Sequence, residues 1–144
     1  STRKPRLLFV GYGETDEWAH SRRYDQVLRS AHRVDGFIAE LWRTMQAMPQ
    51  YRGTTTFIIT ADHGRGGTPA DWTDHGRNVA GAENVWIAVL GPDVTETGTR
   101  GGAVTQSEIA ATVAALLVPD YATLLPDAAP PLPGVFLPRS ARHR

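Results

Sequence analysis

Apolar and polar positions along the chain change period several times, and each change marks an element. Arg6-Leu7-Leu8-Phe9-Val10-Gly11-Tyr12 is a short continuous apolar run and reads as a buried strand. It gives way to Gly11-Tyr12-Gly13-Glu14-Thr15-Asp16, a glycine-interrupted turn of the kind that carries functional groups at a strand end. A long helical pattern follows. Val27, Leu28, Val34, Phe37, Ile38, Leu41, Trp42 and Met45 recur at helical spacing, with Arg22, Arg23, Arg29, Arg33, Glu40 and Arg43 between them, so one face is core and the other solvated. Pro49 and Gly53 stop it, and Thr54–Thr60, β-branched and aromatic, predicts a second strand.

That strand runs into Ala61-Asp62-His63-Gly64-Arg65-Gly66-Gly67 and a polar, glycine-rich loop that continues to Gly81. Val85–Leu90 predicts a third strand, stopped by Gly91-Pro92, and the Thr- and Gly-rich residues Asp93–Gly102 predict a surface loop. A last helix is expected from about Gln106 to Leu117, with Thr105 or Ser107 as cap and Pro119 as stop. Residues 126–138 form a proline-rich, extended tail ending in the basic stretch Arg139–Arg144. Strand, long helix, strand, loop, strand, helix is the alternation of an α/β domain with a largely parallel sheet and flanking helices. In such sheets sites form beyond the strand C-terminal ends, which would bring the Asp16 turn and the Asp62-His63 pair to one edge.

The 144 residues suit one domain, 1–144, with a core of its own. Lys plus Arg and Asp plus Glu are 15 each, so no global field recruits nucleic acid or an acidic membrane surface. No apolar run approaches the roughly 18 residues of a membrane span. The absence of cysteine excludes disulfide frameworks, thiolate zinc clusters and thiol nucleophiles, and leaves histidine and carboxylate as the strong metal ligands.

Three of the 5 histidines sit in or after strand-following turns beside an aspartate. Asp16 and His20 are four residues apart and share a face if the turn enters a helix, so both could reach one cation; alternatively Asp16 only caps the helix and His20 is a surface residue. Asp62-His63-Gly64 places two polar groups where a strand ends and could diverge toward a shared cation, or it is only turn chemistry. Gly64, Gly66 and Gly67 would let the backbone pass close to a metal or oxyanion. His75-Gly76 repeats the His-Gly pattern in the loop. His32, within the helix, and His143, in the basic tail, have no such setting.

The order Asp-x-x-x-His (Asp16, His20), then a strand ending in Asp-His-Gly (Asp62, His63, Gly64), then His-Gly (His75, Gly76) resembles the C-terminal half of the alkaline phosphatase superfamily. Its members include alkaline phosphatases, nucleotide pyrophosphatase/phosphodiesterases, sulfatases and cofactor-independent phosphoglycerate mutases. The resemblance spans Leu7 to Leu117; Pro131–Val135, Tyr24 and Asp35 fit it too. It implies an alkaline phosphatase-like core and two divalent metal ions, zinc or else manganese. Asp16, His20 and His75 would bind one ion, Asp62 and His63 the second. Two such ions would clamp the attacking and leaving oxygens of an in-line phosphoryl displacement.

The family's nucleophile, and an aspartate from the first strand, have no counterpart here, so the chain is expected to be the C-terminal part of a larger catalytic domain. An N-terminal segment of the same enzyme would then be its partner. The expected activity is metal-dependent hydrolysis of a small-molecule phosphate mono- or diester. Sulfatase or phosphoglycerate mutase chemistry is the alternative within the family, and a non-catalytic metal- or oxyanion-binding fragment the alternative outside it. Arg65 is a candidate for the substrate phosphate or sulfate, or else a solvated loop arginine. Asp74 could orient His75, and Trp72 and Trp86 are expected to pack rather than bind. The resemblance favours the periplasm or secretion, with any export signal ahead of Ser1.

Overall fold

The computed structural model describes residues 4–92, 94, 98, 102–118 and 121–135. His143, Pro119, the basic end of the tail and most of the expected 93–102 loop lie outside the described residues. The elements are α1 (Glu14–His20), α2 (Tyr24–Ala47), β1 (Phe57–Thr60), β2 (Ile87–Leu90), α3 (Gln106–Leu117) and α4 (Tyr121–Leu124). Among the described residues no helix is long and apolar enough to cross a membrane.

The chain is α/β, but the expected largely parallel sheet is not what the described residues form. β1 and β2 pair as a two-stranded antiparallel sheet; consistent with that direction, the Thr60 hydroxyl at the end of β1 donates to Trp86 O just ahead of β2, at 2.8 Å. The expected strand at Leu7–Tyr12 belongs to no ladder among the described residues, and Phe9 is 89% exposed rather than buried. Its apolar run favours an extended backbone, but a strand exists only where its N–H and C=O groups find a neighbouring chain. The β1 pattern is also shorter than expected because Thr54 and Thr55 close a turn, the Thr55 hydroxyl donating to Tyr51 O at 3.0 Å.

Contacts group the residues into two compact units. The first comprises residues 1–6, 56–58 and 89–144. Glu108 Oε2 accepts the Thr105 N–H at 2.9 Å, closing the start of α3, and Arg6 Nη2 donates to Leu117 O at its end, 2.8 Å away, where orphan carbonyls favour a cation. The buried Thr112 hydroxyl donates to Glu108 O at 2.6 Å and accepts the Leu132 N–H at 2.7 Å. The tail is therefore docked over Leu132 and Val135, which are 5% and 3% exposed, not simply extended. Those two are the apolar residues that a proline-rich stretch can bury without helix or strand.

The second unit, residues 7–55 and 59–88, carries every candidate ligand. The expected single long helix is two. α1 ends in a Schellman arrangement: Arg22 N–H donates to Ala19 O at 2.8 Å and Arg23 N–H to Trp18 O at 2.9 Å, with Arg22 at φ 57 in the left-handed region usually given to glycine. The break falls directly after His20 and so fixes where that imidazole leaves the helix. α1 packs on α2 through small residues, Ala19 and Ser30, both fully buried. Glu14 ties the start of α1 to α2 by accepting from Arg33 Nη2 at 2.6 Å and the Ser30 hydroxyl at 3.0 Å. The Arg33 bond, then that of Ser30, holds the Glu14 carboxyl below its ordinary value. His32 is exposed on α2, as expected.

Candidate metal centre

Asp16 and His20 lie one turn apart on α1, and the helix periodicity puts them on one face: Asp16 Oδ2 is 3.4 Å from His20 Nε2. Asp62 and His63 follow the end of β1. The His63 N–H donates to Asp62 Oδ1 at 3.0 Å, and His63 Nδ1 donates to Gly64 O at 2.9 Å. With the proton on Nδ1, the Nε2 lone pair is left facing Asp16, the arrangement a metal-binding imidazole needs.

His75 is delivered by a loop that is held to itself. Gly64 N–H donates to Ala82 O at 2.8 Å and Gly66 N–H to Asp74 O at 3.1 Å. A Cβ on Gly64 would collide with the Gly81 and Asn84 carbonyls, and one on Gly66 with Asp71. These two glycines therefore let the loop close on its own backbone, where the sequence had suggested close passage past a metal or oxyanion; at Gly67 there is open space. Asp71 Oδ1 accepts the Thr68 N–H at 2.7 Å and its hydroxyl at 2.6 Å, the hydroxyl bond first and the backbone bond second holding the Asp71 carboxyl below its ordinary value.

The three segments meet at Asp16. Its Oδ1 lies 3.5 Å from His75 Nε2 and 3.7 Å from His63 Nε2, and His20 Nε2 lies 3.0 Å from His75 Nε2. Ligand atoms of Asp16, His63 and His75 all fall within 4.8 Å of one another. The His63 and His75 rings stack at 3.8 Å. A tetrahedral cation with bonds of roughly 2.0–2.1 Å has ligand atoms about 3.3 Å apart. The observed spacings bracket that value, and the donors, imidazole nitrogen and carboxylate oxygen, suit zinc or manganese. The donor set thus fits a divalent ion.

All five candidate ligands are near one another, but not equally. Asp62 is the outlier, its side chain 89% exposed with Oδ2 3.6 Å from His63 Nε2. His63, grouped by resemblance with Asp62, is equally close to the Asp16 and His75 group. Arg65 is not a solvated loop arginine: its side chain is 22% exposed, Nη1 donates to Thr73 O at 2.9 Å, and Nη2 donates to Asp16 Oδ1. Asp74 makes no hydrogen bond to His75 among the described residues, and its carbonyl serves Gly66 instead. Trp72 packs edge-on against Tyr24 at 5.5 Å, as expected, whereas Trp86 is 58% exposed.

A cavity of about 730 Å³, the size of a small-molecule site, is lined by His63 and His75 together with Arg77, Asn78, Val79 and Glu83, among others. Those loop residues were not singled out from sequence, because nothing periodic or motif-like marks them.

Residues 2–120 match the model of the Metalloenzyme superfamily. Comparison with curated proteins and with solved structures gives no match. With most of its length covered by that match, the chain belongs to the Metalloenzyme superfamily of alkaline phosphatase-like, metal-dependent enzymes.

Proposed function

We propose that this chain supplies most of the metal ligands of a hydrolase acting on phosphate mono- or diesters. The observation that carries the reading is Asp16, whose two oxygens lie 3.4–3.7 Å from the Nε2 atoms of His20, His63 and His75. Two divalent ions, zinc or else manganese, are the proposed cofactors, with Asp16, His20 and His75 as ligands of one and Asp62 and His63 of the other. Bound there, such ions would polarise a phosphoryl oxygen and stabilise the charge that develops on displacement.

What the residues themselves do follows from their chemistry. Asp16 neutralises part of the added charge and shares its two oxygens among the imidazoles. The Gly64 carbonyl keeps the His63 proton on Nδ1, so that Nε2 is available. The cavity beside His63 and His75 supports a small-molecule ester as substrate. The nucleophile and the remaining ligands of the second ion are proposed to come from outside residues 1–144, within the same catalytic domain.

The test is an assay of the full-length protein on aryl phosphate, bis-aryl phosphate and aryl sulfate after zinc or manganese reconstitution. Turnover of either phosphate ester, abolished by chelation, supports the reading. Turnover of the sulfate alone assigns the same centre to sulfatase chemistry and overturns the proposed ester class. Metal-independent turnover, or none, overturns the reading.

A further inference from the structure

Arg65 stands out because its guanidinium reaches two segments that bring ligands from distant parts of the sequence. Nη1 donates to the Thr73 carbonyl at 2.9 Å, two residues ahead of His75, and Nη2 donates to Asp16 Oδ1 and lies 3.4 Å from the Asp16 carbonyl on α1. Thr73 is itself buried, at 4% exposure, so that carbonyl is a fixed point of the loop. A planar guanidinium holds its two nitrogens at a set separation, whereas an ammonium is a single point of attachment. A carboxylate offers about four lone-pair positions, so Asp16 can accept from Arg65 and still face a cation and the imidazoles.

We propose that Arg65 is a positioning residue that braces Asp16 against the His75 loop and sets their separation for metal binding, rather than a contact to substrate oxyanion. This rests on the metal-centre reading above. The sign of its effect separates the brace from simple electrostatics. A positive charge beside a ligand carboxylate repels an incoming cation, so by charge alone its removal tightens metal binding. Loss of a brace weakens it.

Co2+ affinity of the full-length protein, measured by chelator competition, and its visible absorption test this on wild type, Arg65→Ala and Arg65→Lys. Arg65→Ala is expected to bind about 10–100-fold more weakly, as for loss of a group that orients a ligand, with an altered Co2+ spectrum. Arg65→Lys keeps the charge and loses the fork, and is expected about 10-fold weaker. Binding by Arg65→Ala as tight as wild type or tighter overturns the brace. Should Arg65→Ala fail to fold by circular dichroism, Arg65→Lys decides: weaker binding supports the brace, and wild-type affinity with an unchanged spectrum overturns it. Wild type that binds no Co2+ overturns the metal-centre reading and the brace with it, an outcome distinct from tight binding by the variants.

Discussion

His20 Nε2 lies 3.0 Å from His75 Nε2, although the first ends a seven-residue helix and the second sits in a loop 55 residues later. Two imidazole nitrogens at that distance either share one proton or turn both lone pairs to a common cation. The Asp16 carboxylate lies within 3.5 Å of both, so a cation held between the two imidazoles would meet a carboxylate oxygen as well.

His75→Ala removes the ligand that touches both the helix and the stacked His63. Metal affinity of the chain is expected to fall by more than the roughly 10–100-fold seen when only a supporting group is lost. Isothermal titration with Zn2+ reads this directly, and affinity within a few-fold of wild type would remove His75 from the centre.

Gly64→Ala places a methyl group against two backbone carbonyls that cannot swing away, those of Gly81 and Asn84. A cost of about 1–3 kcal/mol in chemical denaturation is expected, typical of overpacking. Gly67→Ala meets open space and should change stability by less than about 0.5 kcal/mol.

Arg22 holds the left-handed position that ends α1. Arg22→Gly relieves a backbone cost of roughly 1 kcal/mol and should raise the thermal midpoint, offset in part by greater freedom of the unfolded chain. A drop in the midpoint would mean that the Arg22 side chain contributes more than its backbone strain costs.

The pH dependence assigned to Asp71 has a definite sign. Its carboxyl is held below the ordinary value, chiefly by the Thr68 hydroxyl, so ionised Asp71 stabilises the loop above the unfolded value of about 3.9 and that stabilisation is lost as pH falls through the folded value. In chelator-treated protein, the gap in thermal midpoint between wild type and Asp71→Ala should be present at pH 7 and shrink steadily below about pH 4. A gap that stays constant into strong acid would contradict the assignment.

Much of this architecture is legible in the residues because it is local. The amphipathic spacing from Val27 to Met45 sets α2, Thr105 marks the start of α3, and the four-residue step from Asp16 to His20 places both on one helix face. What escapes depends on partners distant in sequence. Leu7–Val10 has the apolar run of a strand, yet a ladder needs a neighbour. The break after His20 escapes because arginine rather than glycine takes the left-handed turn. The role of Gly64 is set by carbonyls about 20 residues further on, and the role of Arg65 by Asp16, 49 residues back. The candidate ligands were found from type and order; their grouping around Asp16 needed coordinates.

Asp16, His20 and His75 are proposed to hold one divalent ion, with Asp62 and His63 beside them at a second. The deciding measurement is metal content by mass spectrometry, for wild type and Asp16→Ala, after reconstitution with zinc and removal of the excess by gel filtration. Zinc is expected to be retained by wild type and lost from a folded Asp16→Ala chain. Wild type that retains no zinc or manganese, or Asp16→Ala that retains as much as wild type, would contradict the proposal.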